Sequence, residues 1–381
     1  MAVLISGYPY VKENYFRTFD HYPEADSIFF VLPKVWKAKG GKLKFSPPKQ
    51  NNVFAASAYF YHSGYSIIGG LLKGWMPAFP LILSKLRDKI DIVYSPSEPI
   101  LLTTLYQAFW AKIFFKKHII FTWENIPYEN KFRGFNLLVK KIILNFNLEL
   151  CDGIICGNQK AQEIFKKYTD LPTVVIPLSG VDSELYNQAP VVKDKFIYTF
   201  AGALGYRKGI HLIIDALKIV IKDVPNVHLN IVGTGEYEVS LKLKVESLKL
   251  TDRISFIPWA NAEDLKKILS ATDVFVYPSL SYGGWEEQFG YSMAEASLMG
   301  LPIIATKSGS IDEVVIDGET GILVEPDQSD ELSKAMIRLA QDGELRTRLG
   351  QNGRNYIKNN FSYEVVARKF YEFFQKINLH R

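Results

Sequence analysis

Cysteine is nearly missing. Only Cys151 and Cys156 occur in 381 residues. Two are too few for a four-ligand zinc site and suit buried thiols of a reducing compartment. An unbroken apolar run is also missing, and a membrane span needs roughly 20 such residues in a row. The most apolar stretch, residues 53 to 83, is interrupted by His62, Gly64, Gly69, Gly70, Lys73, Gly74, Pro77 and Pro80. The first residues, Met-Ala-Val-Leu-Ile-Ser-Gly, lack the basic region of an export signal and read as a buried strand. There is no low-complexity tract and no internal repeat.

What is present marks a globular chain: 48% hydrophobic and 22% charged residues. The length allows two α/β domains of ordinary size. Charge is unevenly placed. Residues 1–190 carry 22 lysines and arginines against 15 acids, or +7, which leaves −2 of the overall +5 for the rest. A basic first half rich in aromatic and aliphatic residues points to an anionic surface or acceptor. No nucleic-acid motif accompanies the charge, so nucleic acid is not expected as a partner.

The densest pattern runs from Val274 to Thr306. Val274-Phe-Val-Tyr277 reads as a buried parallel strand, and Ser281 to Gly284 as a glycine loop. Phe289, Met293, Ala296 and Met299 then recur at helical spacing until Gly300 and Pro302 stop the helix. Glu287 precedes this helix, Glu295 lies near its middle, and Gly290 allows a close backbone approach at its start. A helix N-terminus of this kind favours an anion, and two acids flanking it suit hydroxyl groups on either side. A nucleotide-sugar has that layout. Ordinary solvated acids are the plainer reading of any lone pair of glutamates.

Glu287-Gln288-Phe289-Gly290, followed by Glu295-Ala and Gly300-Leu-Pro-Ile-Ile-Ala-Thr, resembles the E-x7-E motif of retaining glycosyltransferases of family 4. The resemblance runs from about residue 170 to the C-terminus. It implies an α/β chain of GT-B fold, two doubly wound Rossmann-like domains facing a cleft. The expected domains are an acceptor-side domain, 1–185, with the helix 361–381 returning to it, and a nucleotide-sugar domain, 186–360. No Asp-x-Asp triplet, the metal signature of the other large glycosyltransferase fold, occurs. The resemblance implies no metal and no cofactor beyond the donor.

Other segments fit the same layout. Phe196 to Ala201 reads as a strand turning through Gly202, Gly205 and Gly209 into a helix, a phosphate cradle with Arg207 and Lys208 at its mouth. The family has an arginine after the first glycine. Here Ala203 takes that place, Lys208 matches the family lysine, and Arg207 stands off register. Gly233 lies in the turn after the next strand. Trp259 and Ala260 follow another, where the family reads the base largely with backbone groups. The first half departs further. Tyr8-Pro9-Tyr10 replaces a glycine pair, and Trp123-Glu124 replaces a His-acid pair, keeping only the acid.

These residues predict glycosyl transfer from a nucleotide-diphosphate sugar, with retention, to a lipid-linked saccharide or other glycan precursor. Glu287, Lys208, Arg207 and Glu124 are the expected catalytic set. Glu295, Gly290, Phe289, Gln288, Gly205, Gly233, Trp259 and Ala260 are the expected donor-binding set. Three further readings stand beside it: a GT-B sugar-nucleotide epimerase, a non-catalytic glycosyltransferase-like subunit, and a basic membrane-surface scaffold, which leaves the C-terminal motifs unexplained. Residues 53 to 83 read as a core helix pair or as a monotopic surface dipping into lipid. The basic apolar helix after Lys131 reads as a solvated edge or a membrane anchor. The expected location is the cytoplasm, either free or on the cytoplasmic face of an anionic membrane.

Overall fold

The structure is a computed structural model that describes residues 1–36, 47–48, 50–61, 70–187 and 194–379. Most of the exposed loop expected over 37–52, and residues 62–69 of the apolar stretch, lie outside the described residues. The chain divides into two units, each described by itself. One holds Met1–Gly180 and the final helix Tyr363–Leu379; the other is Val181–Ser362.

The first unit is built on seven parallel strands: β1 (Val3–Ser6), β2 (Ile28–Pro33), β3 (Val53–Ala56), β4 (Ile92–Ser95), β5 (Lys117–Thr122), β6 (Gly153–Cys156) and β7 (Thr173–Val175). Their order is β3-β2-β1-β4-β5-β6-β7. The second unit has six parallel strands: β8 (Phe196–Ala201), β9 (Val227–Val232), β10 (Ile254–Ile257), β11 (Val274–Tyr277), β12 (Ile303–Thr306) and β13 (Gly321–Val324). Their order is β10-β9-β8-β11-β12-β13. Both sheets are Rossmann-like. β1, β4, β6, β11 and β12 are buried at every position rather than alternately, because helices cover both faces of the sheet. In each sheet the winding reverses beside its first strand, at β1/β4 and at β8/β11. Sheets of this topology bind ligands beyond the strand C-termini at that point.

The helix pair expected within residues 53 to 83 falls partly on residues 62–69, outside the described residues; Gly70 and Leu71 just after them are helical. Val53–Ala56 joins the sheet as β3, Tyr59 bridges to Trp75, and the helix that follows is Phe79–Leu86. Gly74 and Pro77 separate the helical residues Gly70 and Leu71 from the next helix, Phe79–Leu86. Gly74 sits at φ 72°, and a proline occupies the first turn of Phe79–Leu86. Ala56, Met76, Phe79 and Leu83 belong to the core of this unit.

The last helix starts at Tyr363; Phe361 ends the preceding helix, Gly343–Phe361. Its Phe370 ring lies 5.2 Å from Phe19, and Phe374 lies 5.6 Å from Tyr94. Cys151 and Cys156 are buried free thiols. Among the described residues no helix is long and apolar enough to cross a membrane.

Candidate functional site

At the β8/β11 reversal two loops meet. The one after β8 carries Gly202 to Gly209 and leads into the helix Ile210–Asp223. The one after β11 carries Pro278 to Gly290 and leads into the helix Tyr291–Leu298. Gly209 makes the junction. It adopts φ 65°, and a Cβ there would lie 1.9 Å from the Pro278 carbonyl oxygen. Only glycine satisfies both conditions without strain. Leu280 N–H donates to the Arg207 carbonyl at 2.7 Å, fixing the loops side by side.

This junction brings Lys208 and Glu287 together as a buried ion pair. Lys208 Nζ donates to Glu287 Oε2 and, at 2.6 Å, to the Tyr277 hydroxyl. Tyr277 and Ser279 hydroxyls donate to the same Oε2 at 2.9 and 3.1 Å. Burial alone raises a carboxyl. Here Lys208 and the two hydroxyls outweigh burial and hold Glu287 below its ordinary value. Burial lowers Lys208 more than Glu287 supports it, with Arg207 adding to the fall. Behind the pair, Ser310 N–H donates to the Glu287 carbonyl at 2.9 Å, where Gly309 leaves room.

Arg207 lies on a different partner. Its guanidinium is 3.8 Å from the centre of the Trp285 ring, and Lys208 Nζ is 4.8 Å from the same ring. A cation over an aromatic face is held without losing its charge, at about 0.5–2 kcal/mol. Trp285 is presented by a tight turn closed on Tyr282, with Gly283 and Gly284 both at positive φ. The site thus combines a neutralised pair with a preserved cation.

Gly290 is the N-cap of Tyr291–Leu298, in the left-handed conformation and with no side-chain cap. Ser292 Oγ ties the helix start to the Ala201 carbonyl at the end of β8. Glu295 is half-buried on this helix. Phe289 turns inward, 4.7 Å from Tyr291 and 5.1 Å from Phe361, so only its backbone faces the loop chemistry. Gln288 N–H donates to Glu287 Oε1 at 3.3 Å. A Cβ on Gly233 would meet the Gly202 carbonyl, and Leu204 N–H donates to the Thr234 carbonyl, so the loops after β8 and β9 are in contact. Gly205 caps the short turn Tyr206–Lys208. Trp259, 68% exposed, and Ala260 follow β10 at the same edge of the sheet.

Glu124 belongs to the other unit, at the end of β5. Lys131 Nζ donates to both of its carboxylate oxygens at 2.8 Å. Beside it stands Glu98, which sequence reasoning missed because no motif surrounds it. Glu98 accepts from Thr122 Oγ1 and from Trp123 N–H, each at 2.8 Å, and so fixes the turn that carries Trp123 and Glu124. Burial first, and then the charge of Glu124, push Glu98 up to about 7. Tyr277, Ser279 and Trp285 were also missed. Their only sequence signal is position, just beyond a buried strand.

Residues 182–356 match the family profile described as glycosyl transferases group 1. The chain is 27% identical over 365 residues to an uncharacterized glycosyltransferase of Methanocaldococcus jannaschii, covering 92% of this chain and 90% of that protein. It is 28% identical over 294 residues to the Escherichia coli UDP-Gal:alpha-D-GlcNAc-diphosphoundecaprenol alpha-1,3-galactosyltransferase, covering 72% and 73%. Among solved structures, Anabaena HepE in complex with UDP superposes with a TM-score of 0.76 at 20% identity, over 99% of this chain and 100% of that one. That likeness concerns the fold.

Proposed function

We propose that this chain, a glycosyltransferase with the GT-B fold, moves a sugar from a nucleotide-diphosphate sugar to a lipid-linked saccharide, retaining the anomeric configuration as family 4 enzymes do. The observation that carries this reading is the junction of the β8 and β11 loops. It sets Arg207, the Lys208–Glu287 pair and an uncapped helix N-terminus at one strand edge. When the bond from the anomeric carbon to the phosphate oxygen breaks, the diphosphate gains negative charge. Fixed donors and cations that meet such charge usually contribute most of the rate enhancement. Arg207 takes the place of the arginine absent at Ala203. Lys208 remains charged as the diphosphate arrives, and Glu287 is positioned for donor-sugar hydroxyls. Glu295 takes ribose hydroxyls, while Trp259 and Ala260 border the base. In this scheme the protein's own cations do the work of a metal.

The name of the Escherichia coli relative specifies a UDP-sugar donor and a diphosphoundecaprenol acceptor, which supports the donor and acceptor classes. The first unit supports the acceptor class independently. Phe115 is 94% and Phe135 79% exposed, and both lie among lysines and arginines. Aromatics at an interface and bases near anionic headgroups favour reversible docking on a bilayer, here its cytoplasmic face, with about 1 kcal/mol per basic residue.

A thermal-shift panel of UDP-, GDP- and ADP-sugars, followed by turnover of the best binder on lipid-linked acceptors, tests the reading. Proton NMR of the product reads the anomeric outcome. Transfer with retention, undiminished by a chelator, is expected. Release of an altered free sugar without acceptor would make the protein an epimerase, and inversion would exclude family 4 chemistry.

A further inference from the structure

Two helices of the first unit, Leu102–Ile113 and Gly134–Leu150, pack together and leave a groove of about 520 Å³. Its size falls within the about 300–1,000 Å³ usual for ligand pockets. Leu72 and Trp75 line it together with Leu105 and Phe109 of the first helix and Phe146 and Leu150 of the second. The phenol of Tyr106, which also lines it, donates to the Pro77 carbonyl at 2.9 Å. Trp75 stands edge-on to that ring at 5.9 Å, so the wall is fixed in place. The lining invites an apolar ligand and no other.

Phe109 and Phe146 also stand half-exposed at the groove mouth, where an apolar surface continues from them. Phe135, Leu138, Ile142 and Phe146 follow one another at spacings of three and four, one face of a helix. The rim is basic. Residues 102–150 contain seven lysines and arginines against three acids, Glu124, Glu129 and Glu149. Glu124 and Glu129 are paired with Lys131 and Lys141. A second copy of the chain would bring the same positive rim against itself. An amphiphile with an anionic head and a hydrocarbon tail satisfies both the groove and its rim.

We propose that this groove binds one hydrocarbon chain, the tail of the lipid acceptor, while the outer stripe rests on the bilayer. The identity of the lipid as acceptor rests on the function proposed above. The groove's affinity for a chain does not. Seating the tail in the protein presents the head group at the membrane surface and selects for long-chain over water-soluble acceptors.

The test uses the full chain without vesicles and cis-parinaric acid, a polyene fatty acid that fluoresces in apolar surroundings. Saturable binding of one probe per chain is expected. Leu105→Trp and Leu150→Trp fill the groove from different helices, and each should weaken the probe by about tenfold or more as apolar contact is lost. Since they sit on different helices, misfolding of one leaves the other to decide. Phe135→Ser, outside the groove, should keep the probe Kd within twofold (about the scatter of a surface change) while reducing binding to anionic vesicles. No saturable binding, or no effect of either tryptophan, overturns the proposal. An equal loss in Phe135→Ser also overturns it, because the surface as a whole would then be the binder. Probe binding that responds as expected in a protein that binds no nucleotide-sugar would remove the donor reading and leave the groove.

Discussion

At the scale of single residues, the two glutamates of the central motif separate into different kinds of group. Glu287 is buried and carries the charge opposite Lys208. Glu287→Gln leaves a buried cation uncompensated, which costs about 3–5 kcal/mol. Its loss of activity should therefore come with a large fall in Tm. Glu295 is half-buried on a helix face, and Glu295→Gln should lose donor affinity while Tm moves little. Calorimetry of the two variants beside a donor titration checks the contrast; a Tm drop of equal size in both would refute it. Glu98 supplies a pH-dependent counterpart. Its folded value is raised to about 7 from 4.5, so the folded state favours the protonated form. That stability is intact below pH 4.5 and is lost as pH rises through about 7. The Tm difference between Glu98→Gln and the natural protein should shift in favour of the variant between about pH 5 and about pH 8. A difference that stays constant over that range would mean Glu98 titrates as an ordinary surface acid.

At the scale of elements, what could be read from sequence was set by burial on two faces. Strands such as Val274–Tyr277 and Ile303–Thr306 declare themselves as unbroken apolar runs, and the helix after Gly290 by its spacing. Residues 53 to 83 were less legible, because apolar content there serves both a strand, Val53–Ala56, and a helix, Phe79–Leu86, that share one core. The partners of the motif residues were equally hidden. That Lys208 meets Glu287 depends on two loops separated by nearly eighty positions, joined through Gly209 and the Pro278 carbonyl. Local pattern cannot encode such a contact. Gly209→Ala should thus disturb both loops together. A side chain held at positive φ costs about 1–3 kcal/mol, and the displaced Pro278 should weaken nucleotide binding as well. A variant with altered stability but normal nucleotide affinity would show that the loops are not coupled.

At the scale of the molecule, two parallel sheets divide the work. The second carries Arg207 and the Lys208–Glu287 pair at its strand edge. The first carries Glu98 beside the Glu124–Lys131 pair and an apolar groove. On the proposed function these serve the diphosphate and the acceptor, and Arg207, stacked on Trp285, meets the diphosphate that leaves. Lys208 is a poorer probe, since its removal strands Glu287. The direct measurement is isothermal titration of UDP, GDP and ADP, and of the matching nucleoside, into the natural protein and into Arg207→Ala. At least one diphosphate should bind the natural protein. The variant should weaken it by about tenfold or more, as loss of a charge-assisted contact implies, and leave nucleoside affinity unchanged. Equal weakening of nucleotide and nucleoside, or no binding of any diphosphate to the natural protein, would contradict the account.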